Sequence, residues 1–219
     1  MHKTVQNYIN IKNEIKTKLI DLNLNYYPSI IAVSKTFSIK DINPLIDYGH
    51  VHFGENKVQE AVNKWAEIKK NNNKIILHMV GKLQTNKVKY AVKLFDYIHS
   101  LDNPKLAKKI SDEQKKCEKK PKLFIQLNLG NEEQKSGIEL SKFEEFYNYC
   151  KQLELNVVGL MCLPPENQDT EFYFSQIERI SEKFKLKDTS MGMSNDYLKA
   201  ITFGSTYLRI GSKIFGERT

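Results

Sequence analysis

Residues 29–70 read SIIAVSKTFSIKDINPLIDYGHVHFGENKVQEAVNKWAEIKK and carry the pattern that decides the fold. A short apolar run rich in β-branched residues at 29–35 is followed by an amphipathic stretch at 38–49. A second apolar run at 50–54 and a second amphipathic stretch at 56–70 repeat this order. Strands that alternate with helices in this way predict a parallel sheet.

The same alternation continues to the end of the chain, with six further predicted strands at 74–81, 96–101, 122–130, 156–162, 188–194 and 205–212. Each is followed by a stretch with helical spacing, and residues 1–25 form one more such stretch ahead of the first strand. Eight strand–helix units without a linker predict an α/β protein, a (β/α)8 TIM barrel with an extra N-terminal helix. We expect a single domain over residues 1–219, and an open doubly wound sheet is the alternative.

The charge balance raises the question of a nucleic-acid partner. Lysine and arginine number 34 and aspartate and glutamate 26, which gives a formal net charge of +8. Such an excess is typical of nucleic-acid-binding proteins. The densest run, residues 105–122, however, alternates acids and bases on a predicted helix, as a solvated face does. We therefore expect no nucleic-acid partner, and a basic nucleic-acid-binding module remains a hypothesis for testing.

Cysteine spacing and hydropathy point to the compartment. Cys117, Cys150 and Cys162 are far apart and odd in number, so they predict neither a disulfide framework nor a zinc site. No stretch approaches the 18 or so apolar residues that a membrane helix needs, and the N-terminus lacks the apolar core of a signal peptide. We expect a cytoplasmic protein without a membrane partner.

The functional face of a βα barrel is the carboxyl end of its strands, and three groups stand out there. Lys35 ends the first predicted strand, while the loops GMSND (192–196) and RIGSKIFG (209–216) follow the last two. Phosphate sites on this fold form from these two loops, because small residues let backbone N–H groups approach an anion. We also expect a helix that begins at Ser194 to direct its positive end at the anion.

A lysine beside a bound phosphate indicates a phosphorylated aldehyde held as a Schiff base. Strand eight closes against strand one in a barrel, so Lys35 is expected next to the phosphate loops, with Arg209 under the ring. The alternative to such a site is that Lys35 is a surface lysine, that the two loops are ordinary turns and that Arg209 forms a common ion pair. His50 and His52 alternate along a predicted strand, but no third ligand stands at a diagnostic spacing, so we expect no metal site.

The chain resembles the family of pyridoxal phosphate homeostasis proteins (the YggS/PROSC family), whose fold is similar to the barrel domain of bacterial alanine racemase. The resemblance covers nearly the whole chain. It is carried by AVSKT (32–36), HFGENKVQEAVNK (52–64), HMVGKLQTNK (78–87), KSGIE (135–139), VVGLMCLP (157–164) and SMGMSNDYLKAITFGSTYLRIGSKIFGER (190–218).

The resemblance implies that pyridoxal 5'-phosphate is the cofactor and assigns roles to eight residues. It makes Lys35 the Schiff-base lysine and Arg209 the partner of the pyridine nitrogen. The phosphate contacts fall to Ser194, Gly211 and Ser212, and the remaining lining positions are Asn56, His78 and Met161. No residue is assigned a catalytic role.

The implied function is intracellular pyridoxal phosphate homeostasis, by buffering the cofactor or delivering it to apo-enzymes. Arg209 cannot give up its proton, so it leaves the pyridine nitrogen unprotonated and the ring a poorer electron sink. Alanine racemases share this arginine but also use a second acid/base from a further domain, and little chain follows residue 212. We expect a monomeric carrier with transient apo-enzyme partners; the alternative is a pyridoxal phosphate enzyme, such as a weak amino-acid racemase or lyase.

Overall fold

Eight parallel strands close into a barrel in the computed structural model, which describes residues 1–130, 136–165 and 168–217. The barrel strands are β1 (Ser29–Val33), β2 (His52–Glu55), β3 (Ile76–Met79), β4 (Tyr97–Leu101), β5 (Lys122–Asn128), β7 (Val157–Cys162), β8 (Asp188–Ser190) and β9 (Tyr207–Ile210). A two-residue strand, β6 (Ile138–Glu139), pairs with β5 and is not part of the ring.

Helices follow the strands in the order that the sequence predicts. They are α1 (Lys3–Asp21), α2 (Ile39–Asp47), α3 (Val58–Asn71), α4 (Val88–Leu94), α5 (Pro104–Cys117), α6 (Phe143–Gln152), α7 (Thr170–Phe184), α8 (Tyr197–Thr202) and α9 (Ser212–Phe215). Local signals set their starts: Ser38 and Asp41 form a capping box at α2, and Asn103 caps α5 directly before Pro104.

The closure of the sheet decides between the two folds that the sequence allows. β1 pairs with both β2 and β9, and β4 pairs with β5, so the described strands form a continuous ring. An open doubly wound sheet would leave two edges unpaired. The prediction of a (β/α)8 barrel with an additional N-terminal helix is therefore confirmed.

Apolar side chains fill both the inside and the outside of the barrel. The interior contains Ile31, Val33, Tyr97, Phe124, Met161 and Tyr207. A larger cluster lies between the strands and the surrounding helices. It includes Ile11 and Ile15 of α1, which are completely buried, so the extra helix is part of the core.

Helix α1 also holds the two short helices that follow the last strands. The Asn7 side-chain amide donates to the Ile214 carbonyl of α9 at 3.0 Å. Glu14 accepts from the Tyr197 hydroxyl of α8 and, at 2.7 Å, from the Lys213 ammonium of α9. The loops that precede α8 and α9 are thereby fixed from behind.

Among the residues that the structure describes, no helix has the length and hydropathy that a bilayer span needs.

Candidate functional site

A cavity of about 800 Å³ opens at the carboxyl ends of the strands. Six of the eight residues singled out from the sequence line it together: Lys35, Asn56, Ser194, Arg209, Gly211 and Ser212. Apolar side chains of Phe37, Val80, Leu163 and Met193 complete much of its wall. Groups from the two ends of the chain thus meet in one site, because β9 closes against β1.

His78 and Met161 lie below the cavity rather than in its lining. Both are completely buried in the barrel interior. Side chains on one face of a strand recur every second residue, and the residues two positions further on, Val80 and Leu163, do line the cavity. His78 and Met161 therefore lie two residues below the positions that line the cavity, contrary to the expectation that they line it.

Lys35 lies two residues beyond the end of β1, in a sharply turned segment. The Ser34 N–H donates to the Gly54 carbonyl at 2.9 Å, and the Phe37 N–H donates to the Ser34 carbonyl at 3.2 Å. Thr36 has a left-handed backbone with φ of 70°, which costs energy in a residue with a β-carbon. Its N–H donates to Glu60 Oε1 at 2.7 Å, so a carboxylate holds the turn that carries Lys35.

A buried ionic network supports this turn from the side of α3. Glu55 is completely buried, and its Oε1 accepts from the Ser34 hydroxyl at 2.7 Å and from Lys64 and Trp65 at 2.9 Å. Lys64 also donates to the Ser34 carbonyl at 2.9 Å and to Glu60 at 3.0 Å. The only sign of this network in the sequence is that Glu60 and Lys64 stand at the i, i+4 spacing of a helical ion pair, which does not by itself predict a buried cluster.

The loops after β8 and β9 form one continuous surface. The Lys213 N–H donates to the Ser194 hydroxyl at 3.3 Å, which links the two loops directly. A β-carbon built on Gly211 would lie 3.4 Å from the Val33 carbonyl oxygen, so the second loop also packs against the end of β1. Two hydroxyl groups, Ser194 and Ser212, therefore stand in the same lining as Lys35.

The segment at Ser194 is a turn and not the start of a helix. Asp196 accepts from the Met193 N–H at 2.5 Å, and α8 begins only at Tyr197. The predicted helix start at Ser194 is therefore wrong, since the Asp196 side chain closes a turn there instead. Ser212 does begin the short helix α9, and the first N–H groups of a helix have no partner within it.

Arg209 carries a buried charge into the cavity wall. Arg209 is only 5% exposed. Its guanidinium donates to the Ser190 carbonyl at 2.5 Å, the Ser190 hydroxyl at 2.7 Å and the Cys162 carbonyl at 2.8 Å. Burial lowers the pKa of Arg209, yet a guanidinium remains protonated in proteins. Within the described residues its hydrogen-bond partners are neutral oxygens.

This arrangement suits an anionic ligand with a reactive carbonyl group. A buried cation is costly without compensation, and an anion in the cavity would supply it. Lys199 adds a further positive charge to the lining and Asp196 a negative one. Lysine is the side chain that forms Schiff bases with carbonyl compounds.

The geometry matches that of a known structural class. The family model for the N-terminal domain of alanine racemase matches residues 19–219. An alanine racemase from Clostridium difficile superimposes with a TM-score of 0.71 at 14% identity, over 99% of this chain and 57% of its own. At that identity the likeness shows the fold.

Closer relatives define the family within this class. A pyridoxal phosphate homeostasis protein from Pasteurella multocida is 35% identical over 203 residues, which cover 86% of each chain. The one from Escherichia coli K12 is 34% identical over 201 residues, 87% of this chain and 86% of its own. PipY of Synechococcus elongatus, solved with pyridoxal phosphate bound, has a TM-score of 0.80 and 32% identity over 92% of this chain and all of its own. The chain belongs to the family of pyridoxal phosphate homeostasis proteins.

Proposed function

We propose that this chain binds pyridoxal 5'-phosphate in the cavity, as a Schiff base on Lys35, and that it buffers or delivers the cofactor inside the cell. The observation that carries the proposal is the shared cavity of Lys35, Arg209 and the two serine-containing loops. The names of the relatives and the ligand of PipY support the same cofactor.

The residues present fit each part of this cofactor. The hydroxyls of Ser194 and Ser212 and the backbone N–H of Ser212, at the start of α9, suit the phosphate. When bound, the cofactor supplies an aldehyde, which condenses with the Lys35 amine and releases one water molecule. Arg209 makes three hydrogen bonds to described protein atoms, which leaves two of its five N–H groups for the pyridine nitrogen.

The same residues favour holding the cofactor over catalysis. Arg209 donates to the pyridine nitrogen and never protonates it, so the ring withdraws electrons weakly. Within the described residues the cavity lining includes no histidine, tyrosine or cysteine. Apart from Lys35 and Arg209, its ionisable side chains are Asp196 and Lys199, and Asp196 is engaged with the Met193 N–H.

The proposal includes where and with what the protein works. We propose that residues 1–219 act as one cofactor-binding domain and as a monomer, with apo-enzymes that need pyridoxal phosphate as transient partners. The cytoplasm is the proposed compartment, and the three free cysteines support it because thiols persist under reducing conditions.

A titration with pyridoxal phosphate tests binding and delivery together. The wild-type protein should develop the visible absorbance of a Schiff base, and Lys35→Ala should not, whereas the exposed Lys40→Ala should match the wild type. Loaded protein, once freed of excess cofactor, should restore activity to an apo-enzyme. Binding without any restoration would overturn delivery to apo-enzymes and leave buffering as the role.

Proton exchange tests the enzymatic alternative. Loaded protein is incubated with L-amino acids in deuterated water, and the α-position is followed by NMR. The carrier proposal predicts no exchange above that of free pyridoxal phosphate. Exchange that requires Lys35 would show a racemase-like or lyase-like activity.

A further inference from the structure

A continuous line of hydrogen-bonded side chains runs through the barrel from its amino end to Arg209. His52 Nδ1 lies 3.0 Å from His78 Nε2, and His78 Nδ1 lies 2.9 Å from His99 Nε2. His99 Nδ1 lies 2.8 Å from the Ser190 hydroxyl, which accepts from Arg209 at 2.7 Å. Five strands, β2, β3, β4, β8 and β9, contribute to this line, which ends in the cavity wall.

The chemistry of Arg209 fixes the direction of every hydrogen bond in this line. A guanidinium only donates, so the Ser190 oxygen accepts from Arg209 and has its own proton left to give. That proton has His99 Nδ1 as its acceptor, which places the His99 proton on Nε2. His99 Nε2–H then donates to His78 Nδ1, and His78 Nε2–H donates to His52 Nδ1. All three rings therefore carry the proton on Nε2.

The opposite direction leaves one group unsatisfied. If His99 Nδ1 donated to Ser190, the serine oxygen would accept twice and its hydroxyl proton would lose its acceptor in the line. Ser190 is completely buried, and a buried donor without a partner is costly. The direction away from Arg209 satisfies Ser190, His99 and His78.

Burial keeps the rings neutral, as this direction requires. His78 and His99 are completely buried. Burial lowers the pKa of both rings well below the ordinary value, and the charge of Arg209 lowers that of His99 further. Each neutral ring then presents its lone pair toward the guanidinium and its N–H away from it, so the ring dipoles stabilise the buried cation.

We infer that Ser190, His99 and His78 are positioning residues that orient Arg209 toward the ring of the bound ligand and stabilise its buried charge. The inference rests on the proposed function for the identity of that ligand. A carboxylate in the same place would form an ion pair with Arg209 and offset its charge. Neutral imidazoles stabilise the guanidinium through their dipoles and leave its charge available to the ligand. The hydrogen-bond line itself belongs to the protein without ligand.

Histidine tautomers measured in the cofactor-free protein test the line independently of pyridoxal phosphate. The protein labelled with 15N-histidine has five rings to resolve, and variants of single histidines assign them. At neutral pH the expected result is the Nε2–H form for His52, His78 and His99. An Nδ1–H form or an imidazolium at His78 or His99 would overturn the inference, whether or not the protein binds the cofactor.

Ser190→Ala and Tyr207→Phe form a matched pair for the effect on the ligand. Both remove one buried hydroxyl from the barrel interior, and the Tyr207 hydroxyl bonds to Tyr97 outside the line, at 3.0 Å. Ser190→Ala should weaken pyridoxal phosphate binding about tenfold, the effect of one hydrogen bond to a charged group. Tyr207→Phe should bind as the wild type does; equal losses in the two variants would show a merely structural role.

His99→Asn and His99→Gln separate the two ends of the central ring. The amide oxygen of asparagine takes the place of Nδ1 and still accepts from Ser190, whereas glutamine reaches only the position of Nε2. Binding and the Schiff-base spectrum should stay near wild type in His99→Asn and change in His99→Gln. Equal behaviour, in variants shown to be folded by circular dichroism, would contradict a role through Ser190.

Discussion

The Glu60 carboxylate accepts a 2.7 Å hydrogen bond from the backbone N–H of Thr36, the residue directly after Lys35. Thr36 is left-handed, so the chain turns directly after Lys35, which lines the cavity. A side chain on α3 therefore controls a backbone turn of another element. The position of Lys35 therefore depends on this contact.

Glu60→Ala should weaken cofactor binding about tenfold, because it removes a charge-assisted hydrogen bond from a strained turn. The change in stability should be small, since Lys64 keeps its bond to Glu55. The measurement is a titration followed at the Schiff-base band. Gln59→Ala, at the neighbouring exposed position of the same helix, is the control, and a loss of equal size there would contradict the role of Glu60.

The stability of the fold should fall steeply in mild acid. Burial lowers the pKa of His50 to about 4 and those of His78 and His99 well below the ordinary 6.5. The unfolded chain protonates these rings near pH 6.5, so their contribution is complete above that pH and is lost as the pH falls below it. For three such rings, the free energy of unfolding should fall by about 3 kcal/mol as the pH is lowered from 6.5 to 5.5.

Urea unfolding at pH 7.5, 6.5 and 5.5 measures this loss of stability. His99→Asn should reduce the pH dependence by about one third, because one of the three rings is removed. A free energy of unfolding that stays constant over this range would mean that these rings bind protons as readily in the native protein as in the unfolded chain, which would contradict their burial as neutral groups.

Gly192 should resist substitution because the loop that carries Ser194 needs both its backbone and its space. Its φ is +88°, and a β-carbon would lie 2.6 Å from that of Ala200. Gly192→Ala should lower the free energy of unfolding by about 2–4 kcal/mol, because it adds left-handed backbone strain and overpacking. It should also weaken phosphate binding. Gly204→Ala, at φ of +71° with open space around it, should cost about 1 kcal/mol; equal losses would contradict the packing argument.

The sequence predicts the barrel because its signal is periodic and repeated, and the departures lie where that signal is local. The predicted strand at 188–194 is only Asp188–Ser190 in the structure, since Gly192 and the Asp196 turn end the extended backbone. The two residues Ile138–Glu139 are too few to show alternation. Lys35 projects beyond its strand because Thr36 turns the chain.

The sequence predicts the site residues that stand at strand ends. It does not predict the contacts between side chains that are far apart in the chain. The pleat explains why Val80 and Leu163, rather than His78 and Met161, line the cavity. His50 and His52 suggest a pair by their spacing, but His50 bonds to the Tyr8 hydroxyl and His52 to His78. The line to Arg209 joins strands that are far apart in the chain, so only the closed barrel reveals it.

Borohydride reduction followed by peptide mapping tests the central claim most directly. Protein incubated with pyridoxal phosphate is reduced, digested and analysed by mass spectrometry, and all other lysine peptides serve as internal controls. The account predicts one dominant pyridoxyl adduct, on the peptide that contains Lys35. An adduct spread over surface lysines, or one concentrated on a different lysine such as Lys199, would contradict it.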